Sequence, residues 1–175
     1  MNQKLLSMNG LQFYSGLVAG INNLLEYKNK LDEINVYPVP DGDTGTNMCF
    51  TLLPIAEECQ GKVNENISET ISIIADTALD SARGNSGTIM AQYFVGMAEA
   101  SKDIITLNSA LIAKIFQAGY ESALEAMSNP KEGTVITVMR EAALTAQENI
   151  DKDSVTETLK NIYESSLEAL NRTPE

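Results

Sequence analysis

Two aspartates separated by one glycine are the residues of this chain best suited to chemistry. Asp41 and Asp43 flank Gly42 in the stretch 35–48, which reads Asn-Val-Tyr-Pro-Val-Pro-Asp-Gly-Asp-Thr-Gly-Thr-Asn-Met. Two carboxylates at this spacing can point at one cation, and Mg²⁺ prefers one or two protein carboxylates beside waters and phosphate oxygens. Asn35 would supply a neutral third oxygen. The pair predicts a magnesium site, although Asp-Gly-Asp alone is also typical of a plain turn.

The acidic pair stands on a loop that is predicted to open a helix. Pro38 and Pro40 stiffen the approach by fixing φ, and a helical pattern begins at Thr44. Helix N-termini bind phosphate through unpaired N–H groups and the positive end of the helix dipole. The loop therefore favours a cation held beside a phosphate. The acids just before it, Asp32 and Glu33, end the preceding helix and are predicted to be solvated.

Two further breaks between predicted helices have the same polar, glycine-rich character. They are Arg-Gly-Asn-Ser-Gly-Thr at 83–88 and Glu-Gly-Thr at 132–134. If the helices pack antiparallel, the N-termini of the second, fourth and sixth helices gather at one end of the molecule. The N–H groups after Gly45 and Gly87 would then hold phosphate oxygens. Each break alone is equally typical of a turn followed by a helix cap.

The apolar periodicity predicts an all-α single domain. Helical stripes begin after Ser7 and near 44, 68, 84–87, 108, 134 and 154, and no alternating strand pattern of useful length appears. The last helix opens with Ser-Val-Thr-Glu at 154–157, a capping-box pattern. Inward positions are predicted to include Cys49, Cys59, Leu79, Tyr163 and Leu167.

Composition limits the classes of partner. The 175 residues include 24 acidic and 12 basic side chains, for a net charge of −12. This balance argues against duplex nucleic acid and anionic membrane surfaces, which need clustered Lys and Arg. The chain has no histidine, the commonest general base, and only two cysteines. With no secretory signal and no apolar run long enough to span a bilayer, a cytoplasmic protein is expected.

The three motifs, taken in order, resemble the N-terminal kinase domain of bacterial fatty acid kinase (FakA-type), which is related to the L subunit of dihydroxyacetone kinase (DhaL-like). They are the stretch 35–48, Ala-Arg-Gly-Asn-Ser-Gly at 82–87 and Glu-Gly-Thr-Val-Ile-Thr-Val at 132–138. The resemblance covers essentially the whole chain. It implies an antiparallel helical barrel or bundle of about seven to eight helices, with ATP or ADP and Mg²⁺ at one open end.

The resemblance also implies an activity and roles for individual residues. A fatty-acid-binding partner of the FakB or DegV-like kind would present a fatty acid, whose carboxylate takes the γ-phosphate. Asp41 and Asp43 would bind magnesium, with Asn35 beside them, and Arg83 is a candidate transition-state cation or else a surface or docking residue. The residues expected to contact the nucleotide are Thr44, Gly45, Thr46, Asn47, Asn85, Ser86, Gly87, Gly133 and Thr134.

Two departures from the family pattern bear on the interpretation. Thr44 stands where dihydroxyacetone kinase subunits have histidine, which favours the fatty acid kinase branch. Family members continue past the point where this sequence stops, so we expect a domain of a longer protein, which could form a homodimer. A dihydroxyacetone kinase-type ATP-binding subunit, a non-catalytic nucleotide-sensing adaptor and a plain helical bundle remain the alternatives.

Overall fold

The computed structural model describes residues 5–36 and 39–173 of the chain, and these ranges are helical. Their only extended pairing is an isolated antiparallel bridge between Met8 and Leu107. The prediction of an all-α fold with about seven helices is confirmed. The helices are α1 (Gly10–Glu33), α2 (Thr44–Glu58), α3 (Ile67–Ser81), α4 (Gly84–Ala100), α5 (Ser109–Glu125), α6 (Val135–Glu148) and α7 (Val155–Arg172).

Polar side chains cap most of the helix N-termini. In α1 the cap is Asn9, whose Oδ1 accepts from the Gln12 N–H at 3.0 Å, while the Gln12 side chain accepts from the Asn9 N–H at 2.9 Å. This reciprocal capping box starts α1 later than the predicted cap at Ser7. The predicted cap of α7 is confirmed, because Ser154 Oγ accepts from the Glu157 N–H at 3.3 Å.

The helices pack as a bundle with two distinct ends. Helices adjacent in the chain contact each other from α1 to α7, and α2 also contacts α4. Isoleucines of α3 and α5 lie at the centre of the large core, together with Phe94 and Met97 of α4. At one end, the backbone N–H of Met8 donates to the Leu107 carbonyl oxygen and the N–H of Val155 donates to the Leu5 carbonyl oxygen, both at 2.8 Å.

A second, smaller apolar cluster marks the opposite end. It joins Ile89 near the start of α4, Ala123 near the end of α5, and Ile136 and Met139 near the start of α6. The starts of α4 and α6 therefore lie at the same end of the bundle. We call this end the loop end, because all three glycine-rich breaks lie there.

Some predicted core positions are wrong. Leu79, Tyr163 and Leu167 are 43%, 65% and 43% exposed, whereas Cys49 and Cys59 are buried as predicted. Among the described helices, α7 packs mainly against α6, so only a narrow face of α7 is covered. That face holds Val155, Thr158, Ile162 and Ala169. Within the described ranges, none of the helices has the length and apolar character needed to cross a bilayer.

Candidate functional site

The acidic loop lies between α1 and α2 and is closed by an internal hydrogen bond. Asn35 Nδ2 donates to Asp41 Oδ1 at 2.7 Å, which joins the beginning of the loop to its end. Asp41 is exposed and Asp43 is partly exposed. Pro38, which was expected to stiffen the loop, lies outside the described residues. The structure thus brings Asn35 and Asp41 together, with the Asn35 amide N–H and not its oxygen facing the Asp41 carboxylate.

Asp43 occupies the N-cap position of α2, yet its side chain makes no capping hydrogen bond. The carboxylate that accepts hydrogen bonds from the first turn of α2 belongs to α1 instead. Asp32 Oδ1 accepts from the Thr46 N–H at 2.8 Å, and Asp32 Oδ2 accepts from the Thr46 hydroxyl at 2.7 Å. Lys28 Nζ also lies 3.0 Å from Asp32 Oδ2. The prediction that Asp32 is solvated is therefore wrong, since its carboxylate joins two helices.

The surroundings of Asp32 favour its charged form. Burial alone would raise the pKa of the Asp32 carboxyl, but the two hydrogen bonds from Thr46 and the nearby Lys28 ammonium outweigh burial and lower it. Asp32 is therefore ionised at neutral pH. Its negative charge lies at the N-terminus of α2, where the helix dipole stabilises an anion.

The second break brings the start of α4 directly against the start of α2. A Cβ on Gly84 would overlap the side-chain amide of Asn47, and a Cβ on Gly87 would overlap the Thr51 hydroxyl. Gly84 also has a φ of +60°, a conformation that favours glycine. Both positions therefore require glycine, so that the first turns of two helices can lie side by side.

The hydrogen bonds at these two starts show which backbone donors are available. The N–H of Thr46 is bonded to Asp32, and the N–H groups of Asn47 and Gly87 donate to the carbonyl oxygens of Asp43 and Arg83. The donors predicted after Gly45 and Gly87 are thus already paired, because α4 begins three residues before Gly87. At these two helix starts, the backbone N–H groups with no hydrogen bond in the described structure come earlier, in the ranges 44–45 and 84–86. The latter includes Asn85 and Ser86.

Arg83 is held by an aromatic ring that the sequence analysis did not single out. The centre of its guanidinium group lies 5.1 Å from the centroid of the Phe50 ring, and Phe50 is 55% exposed. The backbone N–H of Arg83 donates to Thr51 Oγ1 at 3.2 Å. The side chain therefore lies along α2 beside the site. No local sequence signal pairs two residues that are so far apart in the chain.

The third break is fixed by its own polar network. Thr134 caps α6, accepting from the Ile136 N–H at 3.4 Å and donating to the Lys131 carbonyl oxygen at 2.8 Å. The Thr137 hydroxyl accepts from the Gly133 N–H at 2.9 Å and donates to a Glu132 carboxylate oxygen at 2.7 Å.

Arg140 completes this network by donating to Glu132, and it pairs with Glu141 at 3.2 Å. Burial alone would lower the pKa of Arg140, but the hydrogen bond to Glu141 and the charge of Glu132 raise it. Sequence analysis missed Thr137 and Arg140 because their partners are set by how the loop folds. The network holds Gly133 and Thr134 at the loop end.

The starts of α2, α4 and α6 meet at one end, as the antiparallel argument predicted. The first two touch directly, and the third is joined to α4 through the apolar cluster that contains Ile89 and Ile136. Three helix N-termini thus present positive dipole ends at the side of the molecule that carries Asp41 and Asp43. This combination suits a polyanion bound together with a cation.

Comparison with known proteins identifies the family. A model of the DAK2 domain matches residues 38–175. The chain belongs to the DAK2-domain family. It is a DhaL-like nucleotide-binding domain, of a family associated with kinase function whose members bind ADP or ATP. The observed helical bundle agrees with this membership.

Relatives of this DAK2 domain are longer proteins. Uncharacterized proteins of Staphylococcus aureus strain bovine RF122 / ET3-1 and strain USA300 are each 39% identical to it over 168 residues. The match covers 95% of this chain and 31% of each relative. The chain thus spans about a third of the length of the curated relatives it matches.

The oxygen donors of the acidic loop fit a magnesium ion better than a softer metal. The loop offers two carboxylates and an amide oxygen, which are hard ligands, and the Asp43 side chain is not used as a cap. Among the residues that the structure describes, no three His, Cys, Asp or Glu side chains come together as a metal cage. A cation here would therefore complete its shell with water and phosphate oxygens, as Mg²⁺ does in nucleotide sites.

Proposed function

We propose that this domain binds ATP with Mg²⁺ and transfers the γ-phosphate to the carboxylate of a fatty acid held by a partner protein. The observation that carries the proposal is the placement of the Asp41–Asp43 loop beside the adjoining first turns of α2 and α4. Phosphoryl transfer depends mainly on positioning and on neutralising charge. The loop end offers backbone N–H groups that could position a phosphate and carboxylates that could hold a charge-neutralising cation.

Each element of the loop end has a role in this proposal. Asp41 and Asp43, with Asn35 beside them, would hold Mg²⁺, which neutralises phosphate charge when bound. The unpaired N–H groups in the ranges 44–45 and 84–86 would donate to phosphate oxygens. Thr134 would close the site from the start of α6.

The fatty acid carboxylate that would receive the γ-phosphate requires no general base. A fatty acid carboxylate is ionised at neutral pH, because carboxyl groups have pKa values near 4. One of its oxygens forms the new bond to the γ-phosphorus while the bond to the bridging oxygen of ADP breaks, so ADP leaves and an acyl phosphate forms. A chain without histidine can therefore support this reaction. Thr44, in place of the histidine of dihydroxyacetone kinase subunits, supports the same choice of acceptor.

The test is acyl phosphate formation, trapped with hydroxylamine, from ATP, Mg²⁺ and an oleate-loaded partner protein. We expect product only when all three are present. Asp41→Ala and Asp43→Ala should each lower turnover about 100-fold or more, as for loss of a preorganised charge-stabilising group, with little change in thermal midpoint because both side chains lie on a surface loop. Glu99→Ala, an exposed carboxylate at the end of α4 away from the loop end, is the matched control.

Other outcomes would favour the rival functions. Turnover that needs a ketone-binding partner instead of a fatty-acid-binding one would indicate a dihydroxyacetone-type kinase subunit. Tight nucleotide binding without turnover under any of these conditions would indicate a sensing adaptor. Either result would contradict the fatty acid proposal.

A further inference from the structure

We propose that Asp32 is a positioning residue for the metal site, which keeps Asp43 available as a ligand. We call Asp32 and its two hydrogen bonds from Thr46 the Asp32 latch. The inference deepens the proposed function and rests on its assignment of Asp41 and Asp43 to Mg²⁺. Asp32 itself touches neither of these carboxylates in the described contacts, so it acts through the loop and the helix start.

The Asp32 latch closes the acidic loop at its base. Asp32 lies in the last turn of α1 and Thr46 in the first turn of α2, and the segment 33–45 between them carries all three proposed ligands. The two bonds of the latch measure 2.7 and 2.8 Å. Inside the closed segment, the bond from Asn35 to Asp41 forms a second cross-link at 2.7 Å. The loop is thus cross-linked twice, once at its base and once between Asn35 and Asp41.

The latch also occupies one of the two backbone donors that Asp43 could cap. An aspartate at an N-cap ordinarily accepts a hydrogen bond from the second or third N–H of its own helix. In α2 the third N–H belongs to Thr46 and is bonded to Asp32, and Asp43 makes no capping bond. Without Asp32, that N–H would be unpaired and Asp43 could turn onto it. Loss of the latch would therefore convert Asp43 from a ligand into a helix cap.

Lys28 limits the electrostatic cost of a third carboxylate near the acidic loop. Its ammonium group lies 3.0 Å from Asp32 Oδ2, and the side chains of Lys28 and Asp32 are 35% and 18% exposed. The ion pair offsets the Asp32 charge, so the latch adds little repulsion against an incoming phosphate. Asp32 can therefore serve as a fixed anchor without competing with Asp41 and Asp43.

The experiment is a calorimetric titration of ADP into the chain over a series of Mg²⁺ concentrations. We expect Asp32→Ala to raise the Mg²⁺ concentration for half-maximal binding about tenfold or more, the scale for partners that orient metal ligands. Asp32→Asn should do less, since an amide can still accept from the Thr46 N–H and donate to its hydroxyl. Thr46→Val removes the hydroxyl bond of the latch and should raise the Mg²⁺ requirement. Thr46→Ser keeps the hydroxyl and should show the wild-type Mg²⁺ requirement.

Controls separate positioning from general effects of charge or stability. Glu33→Gln removes the same charge from the adjacent, exposed residue and should leave the Mg²⁺ requirement unchanged. The variant that combines Asp32→Ala with Thr46→Val should need no more Mg²⁺ for half-maximal ADP binding than Asp32→Ala alone, because both changes break the same contact. If Asp32→Ala does not fold, the Thr46→Val and Thr46→Ser pair decides the question.

Two results would overturn the inference, and they differ from each other. If the latch variants melt at lower temperature but keep the wild-type Mg²⁺ requirement, Asp32 is a structural cap and the proposed function stands. If the wild-type chain binds ADP equally well with Mg²⁺ and in EDTA, the proposed function falls and the inference falls with it.

Discussion

At the scale of single residues, the N-terminus of α2 is capped by a carboxylate from another helix. The Asp32 carboxylate accepts hydrogen bonds from the N–H and the hydroxyl of Thr46. Asp43, the residue at the cap position, makes no capping bond. Under the proposed function, Asp32 serves stability and Asp43 serves metal binding. Asp32 stabilises the junction of α1 and α2, and Asp43 stays accessible on the loop.

Asp32→Asn should destabilise the fold most at neutral pH and progressively less as the pH falls. Burial raises the pKa of the Asp32 carboxyl, but the Thr46 hydrogen bonds and the Lys28 ammonium outweigh burial and hold that pKa below its ordinary value. A carboxyl whose pKa is lowered by folding stabilises the folded state above its unfolded pKa, and this contribution is lost as the pH falls through the folded value.

The measurement is urea unfolding of the wild type and Asp32→Asn from neutral pH down to about pH 3, below the usual aspartate pKa. The difference between their free energies of unfolding should shrink toward the acid end. A difference that stays constant over this range would show that the charge of Asp32 does not account for its contribution.

At the scale of elements, the site depends on how closely α2 and α4 can approach. The side chains of Asn47 and Thr51 on α2 occupy the space where side chains of residues 84 and 87 would otherwise begin. The two helices run parallel along this contact. Gly84 faces Asn47, and the later residue Gly87 faces the later residue Thr51. Both N-termini therefore lie at the same end of the bundle, the loop end.

Gly84→Ala and Gly87→Ala should each destabilise the chain by about 1–3 kcal/mol, because the new methyl group forces the helices apart. Gly84→Ala carries an added cost, since its φ of +60° is strained for alanine. Nucleotide affinity should fall as well, because the two first turns separate.

Gly16→Ala in α1 is the matched control. A Cβ there would meet nothing within 4 Å, so the gain in helix propensity should stabilise the chain by up to about 1 kcal/mol. Urea unfolding with ADP titration measures both effects. If Gly87→Ala matched Gly16→Ala in stability, the proposed close packing of α2 on α4 would be wrong.

At the scale of the whole molecule, the loop end is polar and acidic, and the described cavities lie elsewhere. Two open depressions share Ala110 at the start of α5 and Ile150 after the end of α6, away from the loop end. Neither is lined by residues of the three glycine-rich breaks. Neither depression would bring the carboxylate of a long acyl chain to Asp41 and Asp43.

This chain alone should therefore form little acyl phosphate from ATP, Mg²⁺ and free oleate, and an oleate-loaded partner should raise the rate strongly. The net charge of −12 also repels a free carboxylate, although salt screens this repulsion beyond about 10 Å. Hydroxylamine trapping with and without the partner, at low and high salt, measures the effect. Efficient turnover of free oleate by this chain would contradict the need for a partner.

The sequence by itself determined the helices and the positions of the three breaks. These features are local: apolar residues recur with the helical period, polar residues such as Ser154 cap the turn that follows them, and glycine interrupts the pattern. The same local reasoning identified the Asp41–Asp43 pair, because its chemistry lies in neighbouring residues. Antiparallel packing then predicted that alternate helix starts would meet.

Only the tertiary structure decided which side chains meet at that end. The contacts from Asp32 to Thr46, from Arg83 to Phe50 and from Glu132 to Arg140 join residues 8 to 33 positions apart. The exposure of Tyr163 was likewise decided by packing, since α7 is covered on one narrow face. A periodic pattern fixes which residues share a face of a helix, but the rotation of that helix against its neighbours depends on every contact in the bundle.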